Sequence, residues 1–494
     1  MKECMIAAIF FPILSGVLLL ISSLRDKMRT DRKRVLTYVG AAFLLTALLV
    51  VVTVLGTGEK SVTLFWLMKD IPVYFSLDRL GSLFVIVITI VWVSAGFFSF
   101  EYMKHEGKEK RFFGFYLVTF GVLIALCCSG NLVTMYLFYE LMTLASMPLV
   151  LHNESKPAIM AALKYLFYSM LGAYLSLFGI FVLYHYSSDL TFTAGGFLGA
   201  MAAGPEALLL IALFCMVLGF GVKAGMFPMH AWLPTAHPVA PSPASAVLSS
   251  TIVKAGVLAL IRVIYYVAGP SLLAGTWVQY AWMILSLITV FMGSMLAYRE
   301  KVFKKRLAYS TVSQVSYILF GLSLMNSAAM TGALLHVVFH AFIKCTLFLT
   351  AGVIIYKTGK TNVDDFRGIG KEMPVTIWCY TFASLGLIGI PPASGFISKW
   401  YLAQGALTSG LSVFSWLGPV VLLVSALLTA GYLLPVTMKG FLPGADYDYG
   451  ALQKKEPSLW MLIPLIVLTV LSVGLGVIPG PLTDFIRQIA AGLM

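Results

Sequence analysis

The chain is an almost unbroken series of apolar runs separated by short polar or basic loops. A helix needs about 20 consecutive apolar residues to cross the hydrocarbon of a bilayer. By that length the pattern predicts 14 spans, at 4–23, 35–56, 81–103, 112–129, 131–151, 160–185, 207–233, 243–267, 275–297, 303–325, 329–356, 375–409, 415–438 and 459–480. The run from Cys4 to Ser23 reads as a first span and not as a secretory leader. Only one lysine precedes it, balanced by Glu3, and no small-residue cleavage site follows. Between the second and third spans, residues 57–80 have mixed charge and predict a short re-entrant segment or a surface hairpin.

Two spans are interrupted. Span 7 carries Pro228 and span 12 carries Pro391 and Pro392, each at mid-membrane depth. A proline there frees backbone polar groups that must face protein or a water-filled cavity. Each break lies near a lysine and a glycine: Lys223 beside Gly225, and Lys399 after Gly395. The two spans are five apart, an odd number, so the units containing them would be inverted with respect to each other, as in inverted-repeat transporters.

Composition fits the same picture. Of 494 residues 60% are hydrophobic and 11% charged, with mean hydropathy +0.92, whereas soluble domains are about 25% charged. The net charge of +13 does not indicate nucleic acid, because the basic residues cluster in short loops between spans, where the positive-inside rule places them. The loop Arg25–Arg34 holds six basic and two acidic residues and is expected on the cytoplasmic side. Counting forward, the basic loops 104–111, 299–306 and 357–371 fall on that side too, while 187–205, 268–274 and 326–328 contain no lysine or arginine. The parity places both termini on the outer side of the cell membrane. The six cysteines lack metal-site spacing, so no disulfide and no metal is expected.

The chemistry is expected from charges inside the spans, which are expensive there and mark function by default. Glu140 is the one carboxylate at mid-span, with Lys223 and Lys254 near the middles of spans 7 and 8. Glu140 and Lys223 could form a structural ion pair, or a pair that makes and breaks as a switch. In span 11, His336, His340 and Lys344 stand at i, i+4 and i+8, on one face covering about 12 Å of rise. A single histidine there would be a core residue, whereas three stacked ionisable groups suit a proton wire. A zinc site is discounted because no third ligand lies nearby. Lys399 is the candidate outlet. Lys164, a turn inside span 6, is either a further relay group or a snorkelling cation. Arg262 is expected to snorkel or bind a neighbour, and Asp78 to be an interfacial charge.

These residues lie in long motifs. The stretch FGVKAGMFPMHAWLPTAHPVAPSPASAVLSSTIVKAG resembles the signature of the antiporter-like subunits shared by Mrp-type cation/proton antiporters, respiratory complex I and membrane-bound hydrogenases. FYELMTLASMPLV, RLAYSTVSQVSYILFG, HAFIKCTLFLTAG and IGIPPASGFISKWYL extend the resemblance over spans 4 to 12. It implies an all-α fold of 14 transmembrane helices with discontinuous helices 7 and 12. The segments would be 1–103 (three helices), 104–268 (first five-helix repeat), 269–440 (inverted second repeat) and 441–494 (cytoplasmic loop and last helix). It also implies Glu140 and Lys223 as a charged pair, Lys254 and the span-11 histidines as the central relay, and Lys399 as the outlet. A lysine at 399 resembles the N-type and Mrp D-type sequences more than the M-type, and FYELMTLASMPLV, YLFYSMLGAYLSLFGI and DDFRGIGKEMP are most similar to Mrp D and its hydrogenase relatives.

The expectation is a proton-translocating subunit with no cofactor of its own, most similar to a component of a sodium/proton antiporter. The alternative is a pumping subunit in a redox-driven complex. Its expected partners are other antiporter-like and small membrane subunits, with NADH-oxidising or hydrogenase subunits in the redox case. A solute transporter is disfavoured by the line of charges crossing several helices. Electron chemistry in this chain is disfavoured because no cysteine cluster, haem motif or nucleotide fingerprint occurs.

Overall fold

The computed structural model describes residues 1–25, 31–198, 207–445, 447–448 and 453–494. Parts of the loops 25–34 and 187–205 and of the segment 441–494 thus lie outside the described residues. The chain is a helical bundle. Its first part contains α1 (Lys2–Arg25), α2 (Arg32–Leu55), a hairpin of β1 (Ser61–Met68) and β2 (Ile71–Ser76), α3 (Arg79–Glu106), α4 (Glu109–Cys127), α5 (Leu132–Val150) and α6 (Lys156–Tyr186). A broken pair follows, α7 (Ala207–Ala224) and α8 (Leu233–Val239), and then α9 (Ser242–Ala268). The second part contains α10 (Trp277–Arg299), α11 (Phe303–Ser323), α12 (Ser327–Thr358), the broken pair α13 (Pro374–Ile388) and α14 (Ser394–Leu407), α15 (Val413–Phe441), α16 (Leu459–Val477) and an amphipathic α17 (Gly480–Leu493).

Among the described residues, 12 helices are long and apolar enough to cross a membrane. The other two sequence-expected spans fall short for identifiable reasons. α11 opens on Lys304, Lys305 and Arg306 and carries a run of serines and threonines, which lowers its hydropathy. Span 375–409 is two shorter helices, α13 and α14, separated by the break at Gly389–Ala393. Within the stretch 57–80, the surface-hairpin alternative is the one present: residues 61–76 form an antiparallel hairpin with two register shifts.

Helix ends are set by side-chain caps where the sequence supplies them. Asn131 accepts from the Thr134 amide at the start of α5, and Asn326 from the Ala329 amide at the start of α12, each satisfying a donor the helix leaves open. Both breaks turn on glycine. Gly225 has φ +77° and Gly389 φ +87°, left-handed conformations that a side chain would strain. α9 departs from regular geometry twice, with π-helical turns at Leu248–Ile252 and Arg262–Ala268. Such turns free carbonyls and are common at functional sites.

Burial divides the bundle. α9 is buried throughout and α12 nearly so, although these helices carry Lys254, His336, His340 and Lys344. Their charges therefore face protein. Large apolar side chains stay exposed on the periphery, among them Phe167, Tyr174 and Phe181 of α6, Leu423 and Leu427 of α15, and Val470 of α16. Surfaces of that size on membrane helices face lipid or neighbouring subunits.

Close helix contacts depend on small residues, as is usual where lipid removes the hydrophobic drive to associate. A Cβ on Gly219 of α7 would sit 2.5 Å from the Gly172 carbonyl of α6, and one on Gly172 would sit 2.5 Å from the Gly219 carbonyl. This contact is one turn from Lys223 and fixes its reach toward α6. Gly219→Val is therefore expected to push α6 and α7 apart at a cost of about 1–3 kcal/mol. The check is the thermal unfolding midpoint of the intact complex, and a wild-type midpoint would contradict this packing.

Candidate functional site

The first cluster surrounds the α7 break. Lys223 is 1% exposed. Its ammonium donates to Thr143 Oγ1 of α5 at 2.9 Å and to Tyr165 OH and Ser169 Oγ of α6 at 3.0 and 2.9 Å. Its Nζ also lies 4.4 Å from the Tyr165 ring centroid, a favourable cation–π placement. Three hydroxyls use all three ammonium protons, so the charge is solvated by the protein. Glu140, on the same helix as Thr143, is half-buried, and its Oε1 is buried without a hydrogen-bond partner. No ion pair between Glu140 and Lys223 occurs among the described residues. The expected pair is thus two neighbouring charged groups, with the lysine held by hydroxyls.

The second cluster is a row of neighbouring groups. Lys254 Nζ donates to the Ser249 carbonyl at 2.8 Å, within the π-helical turn, and lies 2.6 Å from His340 Nδ1. The His340 and His336 rings are 5.8 Å apart. His336 Nδ1 meets Ser398 Oγ at 2.9 Å and its ring stacks on Tyr317 at 5.6 Å. Lys399, one residue after Ser398, lies with Nζ 5.1 Å from the centre of the same Tyr317 ring. Its ammonium donates to the Leu387 and Ile388 carbonyls at 2.7 and 2.8 Å, the open acceptors at the end of α13. A cation at a helix C-terminus is favoured by those unpaired carbonyls and by the helix dipole. The Nε2 atoms of His336 and His340 are both buried and unpartnered. Buried polar nitrogens left open in this way are uncommon and call for an explanation beyond packing.

The two clusters meet where α7 and α9 touch. A Cβ on Gly256 would lie 2.6 Å from the Phe220 carbonyl and 3.1 Å from Lys223 Cβ, with Lys254 two residues away. Of the expected residues, Lys344 turns aside from the line and donates to the Leu307 carbonyl of α11 at 3.0 Å. Lys164 is half-buried and donates to Thr235 Oγ1 of α8 at 3.1 Å.

Sequence reasoning missed several partners. The hydroxyls around Lys223 were not expected, although Tyr165 and Ser169 at i and i+4 put two of them on one face of α6. Tyr317 and Ser398, which bridge His336 to Lys399, were also missed. Arg262 and Asp78 were treated separately, yet the guanidinium meets the carboxylate with two bonds of 2.7 Å. Burial alone would raise the Asp78 carboxyl. The Arg262 charge and bonds, with the Gly81 amide, outweigh it and hold the group below the usual carboxylate range. Two cations of the basic loop 299–306 are not solvated. Lys304 is buried and bonds the Ala240 carbonyl between α8 and α9, and Arg306 donates to the Tyr432 carbonyl. Each ammonium or guanidinium thus bonds a backbone carbonyl. No group of His, Cys, Asp and Glu suited to a metal occurs among the described residues.

A helical bundle of many apolar helices with two broken ones and a buried row of lysines and histidines is the architecture of antiporter-like subunits of membrane complexes. The chain belongs to the family described as "NADH:quinone oxidoreductase/Mrp antiporter, TM", whose model matches residues 129–430. A second model, for the N-terminus of complex I chain 5, matches residues 66–113. The N subunit of the NADH-quinone oxidoreductase of Desulforudis audaxviator is 32% identical over 418 residues, 81% of this chain and 80% of that protein. The D subunit of the Na(+)/H(+) antiporter of Bacillus subtilis is 28% identical over 445 residues, 89% of this chain and 87% of that protein. Among solved structures, a chain of the membrane-bound sulfane sulfur reductase, an archaeal respiratory membrane complex, superposes with a TM-score of 0.86. It is 22% identical, and the match covers 99% of this chain and 97% of that one.

The hydroxyl cradle yields a stability prediction. Tyr165→Phe combined with Ser169→Ala removes two of the three acceptors of Lys223. Hydrogen bonds to a charged group contribute about 1.5–3 kcal/mol each. The unfolding midpoint of the intact complex should therefore fall by several degrees, and an unchanged midpoint would show that the ammonium is not held by these groups.

Proposed function

We propose that this chain translocates protons as an antiporter-like subunit of a multi-subunit membrane complex, most similar to an Mrp-type sodium/proton antiporter. Protons pass through Glu140 and Lys223, then Lys254, His340 and His336, to Lys399, with Lys344 and Lys164 as side groups of the path. The observation that carries this reading is the 2.6 Å contact between Lys254 and His340, followed by the neighbouring His336 ring and its bond to Ser398, the residue next to Lys399. Neutral imidazole can take a proton at one nitrogen and release it from the other. At low dielectric, loading one site changes the proton affinity of the next.

In this reading α11 and the α13–α14 pair also cross the membrane, giving 14 crossings. Segments 104–268 and 269–440 are inverted five-helix repeats between the three-helix segment 1–103 and the last segment 441–494. The basic end of the bundle, at the loop joining α3 to α4, faces the cytoplasm, and both termini lie outside the cell membrane. Other membrane subunits cover the exposed apolar faces, and no cofactor binds here. The second reading, a pumping subunit of a redox-driven complex, is supported by the identity with the N subunit of the quinone oxidoreductase over four-fifths of the chain. There, oxidoreductase partners would carry the electrons.

One experiment separates these readings. Sodium-dependent ΔpH is followed in inverted vesicles holding the native complex, without an electron donor. Antiport predicts exchange in the wild type that is abolished by Glu140→Gln, Lys223→Ala and Lys399→Ala. Proton uptake that appears only with a donor supports the redox reading. Wild-type transport in all three variants contradicts the relay.

A further inference from the structure

The end of the bundle opposite the basic loops is closed over the first five-helix unit. Over the first unit, one layer of backbone pairing joins four segments. Ser76 of β2 donates to the Cys128 carbonyl, and Gly130 to the Tyr74 carbonyl. Phe192 donates to the Gly130 carbonyl, while Thr193 and Phe197 donate to the Tyr266 and Val267 carbonyls at the end of α9. A Cβ on Gly196 would lie 2.2 Å from the Gly269 amide nitrogen, so this layer fits tightly against the end of α9.

The Asp78–Arg262 pair is set into this layer. Asp78 caps α3 by accepting from the Gly81 amide at 2.8 Å. Arg262 begins the π-helical turn that ends α9, and its guanidinium lies against the rings of Phe192 and Tyr266 at 4.9 and 4.3 Å. The guanidinium is 3% exposed and the carboxylate 33%, so the pair closes the layer from its solvent side inward. The other titratable groups acting on it are Tyr266, Cys127 and Cys128. Arg262 is eight residues beyond Lys254 on α9, about 12 Å along the axis. It is the next charged group on that helix after the relay lysine.

The second unit has no comparable closure among the described residues. A cleft of about 660 Å³ lined by Ser327, Thr331, Trp400, Tyr401, Gln404 and Arg487 lies on the outward stripe of α14, and Lys399 is not among its lining residues. The Lys254 end of the relay line thus lies beneath a closed layer.

The geometry points to the Asp78–Arg262 pair as an outer seal, which prevents protons on Lys254 from escaping directly to the outer side and so directs them along the histidines to Lys399. Asp78 and Arg262 are positioning residues. They carry no proton in transport, and they keep water and ions out of the path between Lys254 and the outer surface. The inference rests on the relay reading above, and it adds that coupling depends on a closed outer end of the first unit. Breaking a buried bidentate pair leaves an uncompensated charge and opens the packing around it, so loss of the seal should appear as leak.

The test is passive proton leak in liposomes holding the intact complex, driven by a potassium diffusion potential, with neither sodium gradient nor electron donor. Asp78→Asn should raise the leak roughly tenfold or more over wild type, the factor expected for losing a charged hydrogen-bonded pair from the closed state. Arg262→Lys keeps the charge and loses the two-pronged geometry, and should leak as well if Asp78→Asn fails to assemble. Adding Lys254→Met to Asp78→Asn should return the leak to the wild-type level. That reversal distinguishes an opened path through Lys254 from general loosening of the bundle. Assembled Asp78→Asn and Arg262→Lys complexes as tight as wild type would overturn the proposal, and so would a leak that survives Lys254→Met. Retained sodium-driven transport in Lys223→Ala would count against the relay itself, a result read in a separate assay.

Discussion

The constraint on which the structure depends is the cost of holding ammonium groups where water cannot solvate them. Each buried lysine at the site is paired with an acceptor that bundle geometry provides. Lys223 takes three hydroxyls from α5 and α6, Lys254 takes a carbonyl freed by a π-helical turn, and Lys399 takes two carbonyls at the broken end of α13. Irregular backbone is tolerated at membrane depth only where something satisfies it, and here the lysines do so. Breaks and cations are thus two parts of one solution. A helix without a break would leave Lys399 without acceptors, and the break without Lys399 would leave carbonyls unpaired.

Much of this could be read from the sequence. Hydropathy placed the membrane helices, the prolines at 228, 391 and 392 marked the breaks, and the spacing of His336, His340 and Lys344 put them on one buried helix. The motifs identified the family. What stayed hidden was the set of partners contributed by residues distant in the chain. Thr143, Tyr165 and Ser169 are ordinary hydroxyl residues within apolar helices, and nothing local shows that they converge on Lys223. Spacing also placed Lys344 on the histidine face without showing that its flexible stem carries the ammonium to the Leu307 carbonyl. Lys304 and Arg306 read as loop charges because basic residues at span ends usually are, whereas here they bond backbone carbonyls.

The two broken helices use their lysines differently. Lys223 precedes its break and reaches sideways to neighbouring helices, while Lys399 follows its break and reaches back to the other half of its own pair. Lys223 is therefore sensitive to movement of α5 and α6, where Glu140 is half-buried and lies one turn from the exposed apolar Leu144. Lys399 is sensitive to the angle between α13 and α14. The buried α9 and α12 lie between the two sites and carry Lys254, His336 and His340.

The central claim is that the histidines of α12 join the two lysine sites. The most direct measurement is ion-driven ΔpH formation by the intact complex with both His336 and His340 replaced by alanine, leaving Lys223, Lys254 and Lys399 in place. The account predicts that proton movement stops while the complex remains assembled. Transport within about twofold of wild type, which corresponds to less than about 0.5 kcal/mol in the barrier, would show that protons cross by another route.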